Sequence, residues 1–340
     1  MMKAVVLAGG RGSRLRRLTP VLPKPFAPVA NRPVLAWVLD HLDTADVDGI
    51  GVIVPAAELD LFEQGFGQRT AAGTPIRWLA EHAPAGTGGA LRLQAAFFDG
   101  DPALVVPADI ISSVRLTALL EHHRCHRPAV TVAAALRRAA QWGGDVLLPD
   151  PQRPGHAAAY AFKPCGASGV CAGSTGAWVV DPAVLESIPD EGMTDFSSDV
   201  LPRLPAPGRP LGLFDTGPVY LRDIGIGHKL LTANQEAALG QTPVAASPVP
   251  GPAPVIEDGA CIGAQVLIGP GARIGADARV TGVCVIGADA EVGGGAEVEG
   301  ALLLPGAEVP RGARVGEEII GDPGRALEVL LKYAPYGARS

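Results

Sequence analysis

Three glycines, two arginines and a lysine crowd the turn after the chain's first apolar run: Leu7-Ala-Gly-Gly-Arg-Gly-Ser-Arg-Leu15, then Leu22-Pro-Lys-Pro-Phe26. These residue types suit phosphate. Gly9, Gly10 and Gly12 let successive backbone N–H groups turn toward an anion, and Arg11, Arg14 and Lys24 supply positive charge. Two familiar phosphate loops are excluded. No Gly-Lys-Ser/Thr follows the glycines, and Leu15 stands at the third glycine of the dinucleotide fingerprint. A tight turn with solvated arginines is the plainer alternative for the loop taken alone. Asp109 is a second chemistry-bearing residue, closing the strand-like Ala103-Leu-Val-Val-Pro-Ala-Asp109. A carboxylate at the carboxyl edge of a sheet can reach Mg²⁺; it can also simply cap the next element.

From Lys3 to Leu39 the sequence resembles the amino-terminal signature of the sugar-1-phosphate nucleotidyltransferases, or nucleotide-sugar pyrophosphorylases. The shared positions are Leu7-Ala-Gly-Gly-x-Gly-x-Arg-Leu15, Leu18-Thr19, Pro23-Lys24-Pro25 and Pro28-Val-Ala-Asn-x-Pro33-Val34-Leu35, with Arg17 where the family usually has proline. It looks closest to the mannose-1-phosphate guanylyltransferase-like members with a C-terminal left-handed β-helix. The resemblance implies in-line attack by a sugar-phosphate oxygen on the α-phosphorus of a nucleoside triphosphate, with pyrophosphate expelled. In such a reaction the protein mainly positions groups and neutralises charge.

The resemblance also assigns roles. Arg14 and the backbone of Leu7, Ala8, Gly9, Gly10 and Gly12 would hold the triphosphate, and Lys24 would offset charge as the transferred phosphate rearranges. Asp109 matches the family's first metal aspartate, although Pro-Ala-Asp replaces the commoner Gly-Asp. Asp223, in Tyr220-Leu-Arg-Asp-Ile-Gly225, matches its Asp-Ile-Gly element, so Mg²⁺ is the expected cofactor. Gly86-Thr87-Gly-Gly-Ala90 resembles the Gly-Thr-Ala-Gly-Ala element along the nucleotide base, and with Glu81 upstream it looks more like the guanylyl and related branches than the thymidylyl one, so GTP is the favoured nucleotide. A helix start needing glycine for packing is the alternative there.

On the acceptor side, Lys163 in Phe162-Lys-Pro164 sits where a family lysine meets the sugar phosphate; a solvated surface lysine is the alternative. Three departures cluster on this side. Phe162 replaces a glutamate that binds sugar hydroxyls, Ser174 an asparagine, and Trp142-Gly143 a Tyr-Gly pair. Exchanging a hydroxyl-binding carboxylate for phenyl penalises an ordinary hexose. The expected acceptor is therefore a sugar-1-phosphate or a sugar-like deoxy, amino or cyclitol phosphate. One rival is a catalytically silent homologue that binds nucleotide sugar and regulates a partner. A hexapeptide-repeat acyltransferase is disfavoured, because it would need a histidine base on the helix and no histidine follows His228.

The elements that must position these residues fall into two groups. Up to about Leu239, short apolar runs (Ala4–Ala8, Ile50–Val54, Ile76–Leu79, Leu104–Val106, Val130–Ala134, Trp178–Val180) alternate with helical patterns. One helix opens after Pro33, with Val34, Trp37, Val38, His41 and Leu42 on one face; another carries Leu116, Leu119 and Leu120. The alternation predicts an α/β catalytic domain over 1–241, Rossmann-like, with a mostly parallel sheet and helices on both faces. Its ligand would lie beyond the carboxyl ends of the strands. A Pro-rich linker spans 242–254. Apolar residues then recur every six positions: Ile256, Ile262, Ile268, Ile274, Val280, Ile286, Val292, Val298 and Leu304. With adjacent glycines this is the hexapeptide signature of a left-handed parallel β-helix over 255–321, of about three coils. The register then shifts to Val309 and Val315. In the segment 322–340, Asp322–Tyr333 reads as an amphipathic helix that would cap the solenoid's open end.

At 340 residues two domains are expected. The formal charge of −7 argues against a nucleic-acid partner. No apolar run approaches a membrane span, and no signal peptide is evident, so a cytoplasmic protein is expected. The five cysteines lack metal spacing and read as reduced thiols. His122, His123 and His126 sit at helical spacing but read as a solvated face rather than a metal site. The flat faces of the repeat make a homo-oligomer the expected assembly.

Overall fold

The computed structural model describes residues 2–10, 21–138, 144–164, 170–205, 210–242 and 249–336. Nine strands form the main sheet: β1 (Lys3–Leu7), β2 (Gly49–Pro55), β3 (Ile76–Glu81), β4 (Ala103–Pro107), β5 (Val130–Arg138), β6 (Val146–Pro149), β7 (His156–Ala161), β8 (Val170–Val180) and β9 (Leu211–Asp215). Their order is β3-β2-β1-β4-β8-β5-β9-β7-β6. The half containing β1 is parallel, as the alternation predicts; β8 runs antiparallel to both its neighbours, and β7 to β9 and β6.

Strand alternation divides the core. Ala4 and Val6 face one side with Val52, Val54, Leu104 and Val106, against helices α1 (Val34–Asp43), α2 (Leu59–Phe66) and α4 (Leu116–His126). Val5, Ile53 and Val105 face the other, against α3 (Gly86–Leu93) and the segment around Phe196. Phe62 and Phe66 of α2 are fully buried around Phe26, with centroids 5.1 and 5.0 Å away. Each such phenyl contributes roughly 2–3 kcal/mol by leaving water. Helix α5 (Gly227–Ala238) follows the last strand.

On α4, His123 is 5% exposed and its Nδ1 lies 2.9 Å from the Thr131 hydroxyl on β5. Burial pushes its pKa down to about 4; the charge of Asp181 opposes this, and His122 and Arg124 add to it. A histidine held neutral in the fold stabilises fully above its unfolded value near 6.5, and that stability is lost as pH falls toward 4. The loss from this group is roughly 3 kcal/mol, at about 1.4 kcal/mol per tenfold change in proton affinity. Urea unfolding at pH 7 and pH 4.5 is expected to show this decline, and His123→Gln to flatten it.

Residues 255–320 form three four-stranded parallel sheets, the faces of a β-helix. Four strands per face make four coils, one more than the repeat count suggests. Ile256, Ile274 and Val292 stack at 18-residue steps, but Val292 pairs with Val309, and Ile286 with Leu303, at 17. The hexad after Val298 is one residue short, with the turn made by Gly300 at φ +65°. Leu303 therefore points into the solenoid, whereas Leu304, in register by simple counting, turns outward into a core shared with the sheet domain.

The terminal helix α6 (Pro323–Lys332) is capped by Asp322, whose side chain accepts from Arg325 N. It runs along one edge of the prism rather than across its end. Val329 and Tyr333 pack on Ala288, while Tyr333 and Lys332 donate to Asp289 at 2.7 and 2.6 Å. Leu330 enters the core formed with Phe26 and Phe66, and Tyr336 bonds Asp40 and the Ala36 carbonyl. The helix thus straps the two parts together. Cys171 and Cys284 are buried free thiols; Cys125 and Cys261 are exposed free thiols, and Cys165 lies outside the described residues. Among the described residues no helix is long and apolar enough to cross a membrane.

Candidate active site

The carboxyl ends of β1, β3 and β4 open onto a cavity of about 790 Å³. Leu7, Ala8, Gly9 and Gly10 leave β1 along one wall, and Ala8 N donates to Ile53 O at 3.0 Å. Glu81, the last residue of β3, faces this loop; a Cβ added to Gly9 would lie 2.4 Å from its Oε2. The other carboxylate oxygen accepts from Ala85 N at 3.1 Å. Gly12, Arg14 and Gly143 lie outside the described residues.

Beside β1, where Ala108 N donates to Leu7 O at 3.1 Å, Asp109 and Asp223 are brought together by backbone pairing. Ile110–Ser112 and Leu221–Asp223 form a two-stranded antiparallel ladder that matches Asp223 with Ile110, and Ile224 N donates to Asp109 O at 2.9 Å. Lys24 reaches both carboxylates from the short helix Lys24–Phe26. Its ammonium hydrogen-bonds Asp109 Oδ2 and lies 3.9 Å from Asp223 Oδ1. Burial works to raise the Asp223 pKa, but the hydrogen bond from Lys229 and the charges of Lys24 and Lys229 outweigh it, holding the carboxyl below its usual range. Asp223 is therefore ionised near neutral pH.

Hard carboxylate oxygens suit Mg²⁺, which commonly takes one or two carboxylates and fills its shell with water and phosphate. No group of three or more His, Cys, Asp or Glu side chains forms a metal cage among the described residues. The pair therefore fits a cation completed by substrate rather than a closed structural site.

At the start of α3, Gly86 has φ +76°, and a Cβ there would meet Thr194 O at 2.5 Å. Gly88 N and Gly89 N donate to that same carbonyl. Thr87 donates to Asp195 at 2.9 Å and accepts from Phe196 N at 2.8 Å. Packing thus accounts for the glycines, while Gly86 and Thr87 still line the cavity.

The chain's resemblances agree with this geometry. The sequence profile of nucleotidyl transferases matches residues 3–239. The chain belongs to the nucleotidyl transferase family. Mannose-1-phosphate guanylyltransferase of Mycobacterium tuberculosis is 29% identical over 271 residues, spanning 78% of this chain and 72% of its own. D-glycero-α-D-manno-heptose 1-phosphate guanylyltransferase of Aneurinibacillus thermoaerophilus is 26% identical over 235 residues, 69% of this chain and 98% of its own. The crystal structure of HddC from Yersinia pseudotuberculosis shares the fold, with a TM-score of 0.57 at 20% identity over 69% of this chain and 99% of that one.

The acceptor-side residues of this nucleotidyltransferase are arranged differently from the others. Lys163 and Phe162 lie beyond β7 on the surface, the ammonium 4.6 Å over the half-exposed phenyl ring. Ser174 is buried in β8, its N–H bonded to Asp145 O. None of the three lines the cavity. Pro107, Trp178 and Met193, which spacing alone did not single out as site residues, line it instead. Lys229 was also not expected; its place one turn into α5, six residues after Asp223, is the signal that identifies it.

Proposed function

We propose that the chain joins the guanylyl group of GTP to a sugar-1-phosphate or sugar-like phosphate, releasing pyrophosphate, with Mg²⁺ held by Asp109 and Asp223. The observation that carries this reading is the convergence of Lys24, Asp109 and Asp223 at a cavity that Lys24, Asp109 and the Gly9–Gly10 backbone line together. That arrangement leaves room for a triphosphate beside the loop N–H groups, Lys24 and a metal-binding carboxylate pair. The metal, when bound, neutralises charge on phosphate oxygens. Lys24 would follow the α-phosphate through the displacement, and the Gly9–Gly10 backbone would orient the departing pyrophosphate. Lys163 and Ser174 are proposed to approach the acceptor when substrate is bound.

Glu81 supports GTP. Guanine presents N1–H and N2–H as adjacent donors, and a carboxylate offers paired acceptors, whereas uracil and thymine show a single N–H between carbonyls. The apolar Pro107, Trp178 and Met193 support an acceptor with fewer hydroxyls than a hexose. The functional division is a catalytic unit over 1–241 and a β-helix over 255–321. Self-association through the helix is part of the proposal, since its first coil leaves Val255 and Ile256 half exposed.

The test is pyrophosphate release by the full chain with Mg²⁺, across five nucleoside triphosphates and a panel of ordinary and modified sugar-1-phosphates. Turnover with GTP and a modified acceptor is expected; silence with GTP binding intact would favour a regulatory protein. Glu81→Gln is expected to lower kcat/KM for GTP by about 30-fold, the effect of one misplaced hydrogen-bonding group. An unchanged ratio of GTP to ATP turnover would remove Glu81 from base recognition.

A further inference from the structure

The hairpin Pro28–Val29/Arg32–Pro33 has two-residue strands and a turn of two left-handed residues, Ala30 at φ +50° and Asn31 at φ +66°. So small a hairpin is marginal by itself. Its order comes from outside. Asn31 is 5% exposed and engages one corner of the β-helix: its Nδ2 donates to Ile286 O at 3.2 Å, and its Oδ1 accepts from Ala288 N at 2.7 Å. From the other side the Asn234 amide accepts from Ala30 N and donates to Pro28 O, both at 2.9 Å.

The hairpin is joined directly to Lys24. Ala27 N donates to Lys24 O at 3.0 Å, and Val34 N to Ala27 O at 2.9 Å. The same buried cluster holds Ala27, Val29 and Ala30 together with Val285, Leu302 and Leu304 of the β-helix. It also includes Ile111 and Ile224, which flank the two aspartates. A shift of the solenoid against the sheet would therefore move the ammonium and both carboxylates.

We propose that the β-helix is a working part of the active site, fixing through Asn31 the hairpin that holds Lys24 in place, so that Asn31 is a positioning residue for the reaction. This rests on the nucleotidyl-transfer reading above. It gives the solenoid a role that needs neither a histidine base nor a second subunit. Displacements of about 1 Å in such a site can cost 10²-fold in rate.

Two substitutions break the bond from Ala288 N to Asn31 Oδ1 from opposite ends, Asn31→Ala losing the bond to Ile286 O as well. Asn31→Ala deletes the amide. Ala288→Pro deletes the N–H it accepts from, and proline suits that turn: Ile268 and Ile286 are stacked, so Ala288 stands one coil above Pro270, and Asp289 above Gly271, both with positive φ. Each variant is expected to lower kcat by about 30-fold with KM for GTP within twofold, and the double variant to fall no further, because both act through one contact. Asn31→Asp keeps the acceptor and should fall between. Amide exchange across residues 24–34 should accelerate in each variant while the main sheet stays protected. Arg314→Ala, on an exposed solenoid face, should change neither readout.

Unchanged exchange and turnover in both single variants would overturn the proposal, as would faster exchange with kcat intact. Additive losses in the double variant would also count against it. An inactive wild-type chain would overturn the reaction on which positioning depends, and the exchange data would then separate that failure from a failure of the Asn31 coupling.

Discussion

Asp109→Asn is expected to lower kcat/KM for pyrophosphate release by about 10³-fold, with the melting temperature unchanged or raised. The amide matches the carboxylate in shape, and the backbone frame that places residue 109, the bond from Ile224 N to its carbonyl, does not involve the side chain. What is lost is one of two anionic groups available to a dication, and three decades correspond to about 4 kcal/mol of transition-state stabilisation. Stability should move the other way. Asp109 and Asp223 are like charges side by side, and when Asp109 is neutralised Lys24 still has Asp223 at 3.9 Å while Lys229 keeps its bond to Asp223, so repulsion is relieved without orphaning a charge. Initial rates across an Mg²⁺ titration check the claim: saturating metal should leave kcat low. Activity within tenfold of wild type would remove Asp109 from the metal site.

What could be read from the sequence follows from how local each signal is. The glycine loop is legible because Ala4–Leu7 is an uninterrupted apolar run and the turn chemistry follows at once. The meeting of Asp109 with Asp223 is not, since more than a hundred residues separate them and a three-residue ladder joins them; only the resemblance linked the two. The β-helix announced itself by its period of six, yet the coil count fell short. One missing residue after Val298 moves Leu303 into the interior and Leu304 out of it, and periodicity cannot distinguish a shortened hexad from an ending. For α6 the amphipathic pattern gave a helix with one apolar face but not the surface that face meets. It covers the Ala288–Asp289 corner and Phe26 together, which depends on how two domains pack. Asn31 was hidden for the same reason: its partners lie in the other domain.

Lys24→Met is expected to lower kcat by about 10²- to 10³-fold while tightening Mg²⁺ binding to the nucleotide-free chain by about tenfold. The first effect follows from removing a cation placed against charge that redistributes in the transition state. The second has a separate cause. The ammonium, largely buried, hydrogen-bonds Asp109 and lies 3.9 Å from Asp223, so it both occupies the carboxylate oxygens and repels an incoming dication. Methionine keeps most of the aliphatic stem and removes that competition. Asp223 stays ionised in the variant because Lys229 still donates to it at 2.8 Å, so that carboxylate remains available to the metal. Calorimetric titration with Mg²⁺, paired with single-turnover rates, reads the two effects separately. A damaged site would weaken metal binding and slow turnover together, whereas a charge that competes with metal before the reaction and serves it afterwards moves them in opposite directions.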